Sequence, residues 1–411
     1  MRCGERDYTP VHSQQPDIMV NIKVVIGANY GDEGKGLMTD YFTARLAPSG
    51  RVLGVLSNGG SQRGHTVVTP DGKTHVFRHF SAGTLAGADT YIPASFIVNP
   101  MNFCQELQTL SDLIGYTPNV YIEKNARITT PFEMIVNQIL ENARGDQRHG
   151  SCGVGIWETL VLGGARWGEI LRMSEQQRIQ YLRYVRDNYL YDRLQSKGVT
   201  IPPRWMEVIK SEGLIQRYVQ DLNHMVLHST TVSLPQMAVW DYPNIVFENG
   251  QGLRIGEEFG DYHFSTPSNT GLKNPADMIS KWYSTKDIVK GMTDIPTQVE
   301  VCYVTRTYYT RHGAGSLTDE LSRELLNAEY HSRVTWDLTN THNDFQGSLR
   351  YAPALVREIE NITALDFANN AHPGWKKSIA VTHVDEMPDS PVLSMDNVKY
   401  FASGRTRDHV L

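Results

Sequence analysis

Seven short apolar runs, rich in β-branched residues, constrain the fold of this chain more than any other feature. They are IKVVI (22–26), RVLGVL (51–56), TYIPASFIV (90–98), NVYI (119–122), NIVFE (244–248), TQVEVCYV (297–304) and KSIAVTHV (377–384). A strand with one solvated face alternates apolar and polar residues. An unbroken apolar run is buried on both faces, as in a parallel sheet covered by helices. Helical patterns lie between the runs. One is NFCQELQTLSDLI (102–114). Another is TPFEMIVNQILENAR (130–144), whose Thr-Pro opening supplies a cap and a first-turn residue. A long amphipathic region, 174–197, adds further helix. Strands alternating with helices predict an α/β fold: a large, mostly parallel sheet flanked by helices. No repeat or low-complexity linker divides the chain, so residues 22–411 read as one domain. Residues 1–21 read as a flexible extension, too polar for a signal peptide.

The net charge of −6 and pI near 6.2 argue against a protein built to coat nucleic acid. Cys3, Cys104, Cys152 and Cys302 share no CxxC spacing. Reduced thiols in a cytoplasmic protein fit them better than a disulfide framework. No run approaches the roughly 18 apolar residues of a membrane span.

The first run leads straight into Gly27-Ala28-Asn29-Tyr30-Gly31-Asp32-Glu33-Gly34-Lys35-Gly36. A strand, a glycine-rich turn and a helix start make an anion site from backbone N–H groups and a helix N-terminus. The common phosphate loop is GxxxxGK[ST]. Here six residues separate Gly27 from Gly34-Lys35, and Gly36 replaces the Ser/Thr that would bind Mg²⁺. Asp32 can supply a carboxylate instead, for metal binding, for base work or for both. Glu33 reads as a structural residue bonding the turn's backbone.

This loop closely resembles the adenylosuccinate synthetase signature G-x-Q-W-G-D-E-G-K-G. Further matches follow in order along most of the chain. Gly64-His65-Thr66 resembles the G-H-T of G-G-x-N-A-G-H-T, with Gln62-Arg63 where Asn-Ala is expected. Phe247-Glu248-Asn249-Gly250-Gln251-Gly252 is similar to F-E-G-A-Q-G, and Ser265 to Thr270 resembles T-S-S-N-T-T. Tyr309-Thr310-Arg311-His312-Gly313-Ala314-Gly315 resembles Y-S-T-R-V-G-A-G. Val381-Thr382-His383-Val384-Asp385 resembles L-T-K-L-D, and Ser403-Gly404-Arg405 resembles a C-terminal S-x-G-P-x-R.

The resemblance implies a homodimeric enzyme of P-loop GTPase-related fold that joins L-aspartate to a purine nucleoside monophosphate, using GTP and Mg²⁺. It implies catalytic roles for Asp32, Lys35 and His65, with Asp32 and the Gly64 carbonyl as metal ligands. Asp32 would take the N1 proton, the 6-oxygen would attack the γ-phosphate, and His65 would donate to the transferring group. Nucleotide contacts would come from Gly31, Gly34, Gly36, Gln62, Gly64, Thr66, Ser151, Gln251, Thr270, Asp385, Ser403 and Gly404. Asp385 would read guanine through two hydrogen bonds that adenine cannot offer.

The departures concentrate on the second substrate. The family's T-T-G-R-R-R-R-T-G-W-L-D block is replaced by Leu338-Thr339-Asn340-Thr341-His342-Asn343-Asp344-Phe345. Arg311, Thr339, Asn340 and Arg350 are the remaining candidates for holding the amino acid. The arginine that the family lends across its dimer interface has no clear match. A phage-type branch of the family acts on dGMP and replaces the catalytic aspartate, which is retained here. IMP, dGMP and a different amine donor therefore stay open. So do a kinase stopping at the 6-phosphorylated stage and a GTP-binding protein without ligase activity.

Overall fold

A computed structural model describes residues 19–233, 235, 239, 241–283, 297–337, 339–340 and 342–411. Most of the expected extension, with Cys3, and also Leu338 and Thr341, lie outside the described residues. The apolar runs become strands of one sheet. In chain order these are β1 Val20–Gly27, β2 Val52–Leu56, β3 Asp89–Ile92, β4 Val120–Glu123, β5 Thr230–Val232, β6 Asn244–Glu248, β7 Thr297–Arg306, β8 Lys376–Thr382 and β9 Val398–Phe401. They lie in the order β5-β4-β3-β2-β6-β1-β7-β8-β9, and every pairing between them is parallel.

Burial explains why the runs are continuous. Val24, Phe247 and Tyr303 enter one core with Trp282. Their sequence neighbours Val25, Val246 and Cys302 enter another, beneath the helix α1, Lys35–Leu46. Successive strand residues point to opposite faces, and both faces are covered. The helices α2, Pro100–Ile114, and α3, Pro131–Ala143, are set by their caps. Asn99 accepts from the Met101 and Asn102 amides, and Thr130 forms a capping box with Glu133. The 174–197 region is helical from Glu175 to Ser196, with a π-helical stretch over Val185–Leu190.

One run does not behave as expected. TYIPASFIV splits at Pro93, which has no N–H to donate to a ladder. Its first half is β3. Phe96–Val98 pairs instead with Gly59–Gly60 and Arg127–Ile128 in a separate small sheet.

Because all nine strands point the same way, the loops after β1, β2, β6, β7, β8 and β9 emerge on one edge of the sheet. Every motif singled out above, from Gly27 to Gly404, follows the C-terminal end of a strand or reaches that edge by a loop. This is where open parallel sheets bind their ligands. Among the described residues no helix is long and apolar enough to cross a membrane. Cys104, Cys152 and Cys302 are free thiols.

Candidate active site

The loop after β1 is organised by Glu33. Its Oε1 accepts from the amides of Asn29 (3.1 Å) and Gly31 (2.8 Å), and Lys35 Nζ donates to its Oε2 at 2.5 Å. A Cβ at Gly27 or Gly252 would fall within 2.4 or 2.6 Å of this carboxylate, so both positions must be glycine for it to fit. Glu33 is thus the internal acceptor of the turn, and Lys35 is buried against it.

Asp32 sits in the left-handed region at φ 61, between Gly31 at φ 105 and Gly34 at φ 91. A non-glycine residue there costs roughly 1–3 kcal/mol, a cost typical of functional sites. Its neighbours hold it: Arg306 Nε donates to the Asp32 carbonyl at 2.5 Å, Thr310 Oγ1 to the Gly31 carbonyl at 3.3 Å and Thr382 Oγ1 to the Glu33 carbonyl at 2.8 Å. Three hydrogen bonds from β7, β8 and the segment after β7 pin the loop and leave the Asp32 side chain half-buried at its tip.

Gly36 opens α1 against the hairpin His65–Val68/Thr74–Phe77. A Cβ there would lie 2.7 Å from the Thr66 carbonyl oxygen and 3.2 Å from His65 Cβ. The glycine lets the helix approach His65. Gly36→Ser, which restores the common phosphate-loop residue, should therefore lower stability by about 1–3 kcal/mol. A urea midpoint equal to wild type would contradict this close approach.

His65 belongs to a buried triad. Its Nδ1 meets Glu248 Oε1 in a short hydrogen bond, and Arg63 Nη2 lies 2.9 Å from that oxygen and 3.1 Å from Nδ1. Glu248 Oε2 accepts from the Ala82 amide at 3.0 Å. Burial, then the Arg63 charge, push the His65 pKa down to about 4. Arg63 and His65 outweigh burial at Glu248 and hold it at about 2. The resting imidazole is therefore neutral, with its proton on Nδ1 toward Glu248. An anion placed beside the ring would raise its pKa again. Neither Arg63 nor Glu248 was singled out from sequence. Both lie inside the matched motifs, and Arg63 was visible only as a replacement for alanine.

The loops after β2 and β6 are latched together. Asn58 accepts from the Gly250 amide at 2.8 Å and donates to Ser268 Oγ at 3.0 Å. Around this latch are buried polar atoms without hydrogen-bond partners among the described residues: both amide atoms of Gln62, Gln251 Oε1, Asn249 Oδ1, Ser61 Oγ, and Nε and Nη1 of Arg63. Each such atom costs about 1–3 kcal/mol if left unpaired. Their clustering on two loops marks a set of donors and acceptors arranged for a ligand. Gln62 and Gln251 belong to it. Thr270 does not: its hydroxyl donates to the Gly252 carbonyl at 3.0 Å.

Ser151 lies in a loop held by Glu141, which accepts from the Gly150 (2.6 Å) and Ser151 (3.2 Å) amides, while Ser151 Oγ donates to Asn137 at 2.9 Å. The Gly150 backbone touches Gly313, where a Cβ would fall 2.6 Å from Gly313 Cα.

Thr66 Oγ1 donates to Thr339 Oγ1 at 2.9 Å, tying the hairpin to Thr339. Asp337 accepts from the Thr339 amide at 3.0 Å, the Asn340 amide at 3.1 Å and Asn340 Nδ2 at 2.9 Å. Arg306 anchors Asp337 at 3.3 Å and, by its charge, holds the carboxyl well below the usual range against burial. Thr339 and Asn340 thus shape the loop. Arg350 is committed as well, to Glu320 (2.9 Å) and to the carbonyls of Gly313 (3.0 Å) and Gly315 (2.9 Å). Arg311 differs. It is buried over the Tyr30 ring, 5.0 Å from its centroid, and its Nε has no partner. Sequence reasoning missed Arg306, the residue that joins the Asp32 loop to Asp337.

Asp385 is exposed, with its carboxyl raised by partial burial. The Val384 amide donates to the Ala402 carbonyl at 3.1 Å, which sets Asp385 beside Ser403-Gly404. Gly404 lies against the His409 ring, where a Cβ would meet Cγ at 2.7 Å.

Among the described residues no three His, Cys, Asp or Glu side chains cluster to hold a metal. A hard cation would instead use the half-exposed Asp32 carboxylate with a carbonyl and substrate phosphates, a usual Mg²⁺ arrangement. Gly64, the expected carbonyl donor, is exposed.

The adenylosuccinate synthetase family model matches residues 24–345. An adenylosuccinate synthetase from Synechocystis is 30% identical over 314 residues, covering 74% of this chain and 63% of its own length. That from Acaryochloris marina is 28% identical, covering 94% and 90%. For several relatives the chain thus spans just under two thirds of their length. Two solved structures share the fold at 15% identity and TM-score 0.61. They are the succinoaminodeoxyadenylate synthetase of cyanophage S-2L, bound to dGMP and dATP and covering 96% of this chain and 95% of its own, and the fully ligated adenylosuccinate synthetase of Plasmodium falciparum, covering 95% and 99%. With the family model spanning well over half of it, the chain belongs to the adenylosuccinate synthetase family.

Proposed function

We propose that the protein is a GTP- and Mg²⁺-dependent ligase that replaces the 6-oxo group of a purine nucleoside monophosphate with the amine of L-aspartate. The observation that supports this most directly is Asp32. Its strained backbone is pinned from three directions, and its side chain is left half-buried at the same edge of the sheet as the loops that carry the orphaned polar atoms of Gln62, Arg63 and Gln251. A carbonyl at C6 is a poor leaving group and must be activated first. Asp32 takes the proton from N1, and the 6-oxygen attacks the γ-phosphate. Lys35 exchanges Glu33 for phosphate oxygens and neutralises charge as the phosphoryl group moves. The amine then displaces phosphate from C6. Asp32 and the Gly64 carbonyl would hold Mg²⁺, which would supply further charge neutralisation on the phosphates. Asp385, with Ser403 and Gly404, receives the guanine of GTP. Arg311 is the arginine left to hold a carboxylate. The working form is a cytoplasmic homodimer.

A second reading takes dGMP as the nucleotide. Gln62-Arg63 in place of Asn-Ala favours it, and so does the S-2L enzyme, bound to dGMP with dATP as energy donor. The decisive assay measures phosphate release with GTP or ATP, Mg²⁺ and IMP, GMP or dGMP, with and without aspartate, with the product identified by mass. We expect an aspartate-dependent succinyl adduct. Phosphate release independent of aspartate would overturn aspartate as the donor.

A further inference from the structure

The His312 ring faces the Asp32 carboxylate, with Nε2 3.9 Å from Oδ2. The resembled pattern Y-S-T-R-V-G-A-G carries valine where this chain has His312. We propose that His312 is a positioning residue for Asp32, donating the hydrogen bond that fixes the carboxylate for proton abstraction. This deepens the reading given above and rests on it.

Three observations carry the assignment. First, the backbone on either side of the ring is held in place. Arg311 before it is buried and donates to the Ser316 carbonyl at 2.8 Å, and Gly313 after it adopts φ 77 against the Gly150 backbone. Second, His312 Nδ1 is buried with no partner. A buried N–H without a partner is rarer than a buried acceptor without one. The ring proton therefore belongs on Nε2, the atom facing Asp32. Third, the loop backbone is fixed by Arg306 at Asp32 and by Thr310 at Gly31, but among the described residues no donor comes within hydrogen-bond distance of the Asp32 side chain. A ring movement of about 1 Å closes the 3.9 Å gap to a hydrogen bond. Nucleotide packed over the ring would drive that movement.

The test compares His312→Val and His312→Gln with wild type and Asp32→Asn. Glutamine places an N–H near the position of Nε2, whereas valine fills the space without a donor. His312→Val should lower kcat about tenfold with the KM for GTP unchanged, and His312→Gln should restore most of it. In an Asp32→Asn background His312→Val should have no further effect, because His312 acts through that carboxylate. Full activity in His312→Val alongside an inactive Asp32→Asn would overturn the inference alone. A wild-type protein without turnover on any nucleotide would overturn the functional reading and this inference with it.

Discussion

Replacing Asp32 by asparagine is expected to lower turnover by about 10²–10⁴-fold while leaving the fold intact. The contacts that hold the loop act on the backbone: Arg306 and Thr310 donate to the carbonyls of residues 32 and 31. Asparagine keeps these contacts and tolerates the left-handed conformation well. It removes the group proposed to take the proton and to serve as the anionic ligand for the metal. Steady-state turnover measured beside a thermal melt separates the two effects. Retention of most activity would show that another group carries the first proton transfer.

The second large effect falls on stability. Glu248 is fully buried and holds Arg63, His65 and the Ala82 amide. Glu248→Ala leaves a buried guanidinium without its counter-charge, a change that typically costs 3–5 kcal/mol. Glu248→Gln, which keeps an acceptor but loses the charge, should fall between. An unchanged urea midpoint in Glu248→Ala would mean that Arg63 has another partner. The pair also has a pH signature. The carboxyl drops from an ordinary 4.5 to about 2 on folding. Its contribution is therefore full above pH about 4.5 and is lost as the pH falls toward about 2.

The parts of this molecule that were legible in sequence are those decided locally or by a period. Continuous apolar runs marked strands buried on both faces, and Thr130-Pro131 marked a helix start. The density of glycine and acid in 27–36 marked a loop with chemistry, and Glu33 could be read as its backbone acceptor. What escaped depends on long-range pairing. Arg306 reaches Asp32 across 274 positions, and Arg63 meets Glu248 only because β2 and β6 are neighbours. Nothing near Arg350 reveals that Glu320 and two glycine carbonyls occupy its guanidinium. The break at Pro93 was legible in principle, since proline demotes a central strand, but the apolar residues on either side concealed it.

The strand order also governs how such a chain is made. β1, which carries the Asp32 loop, has as its sheet neighbours only β6, beginning at Asn244, and β7, beginning at Thr297. At about 5–20 residues per second, the roughly 220 residues between Val20 and Asn244 take about 10–45 s to emerge from a ribosome. Throughout that interval both ladder edges of an apolar strand lack their partners, which is the condition that favours aggregation. The edge that carries the candidate site is thus among the last parts of the protein to be completed, and the yield in a cell depends on how well the growing chain is shielded until the middle of the sheet closes.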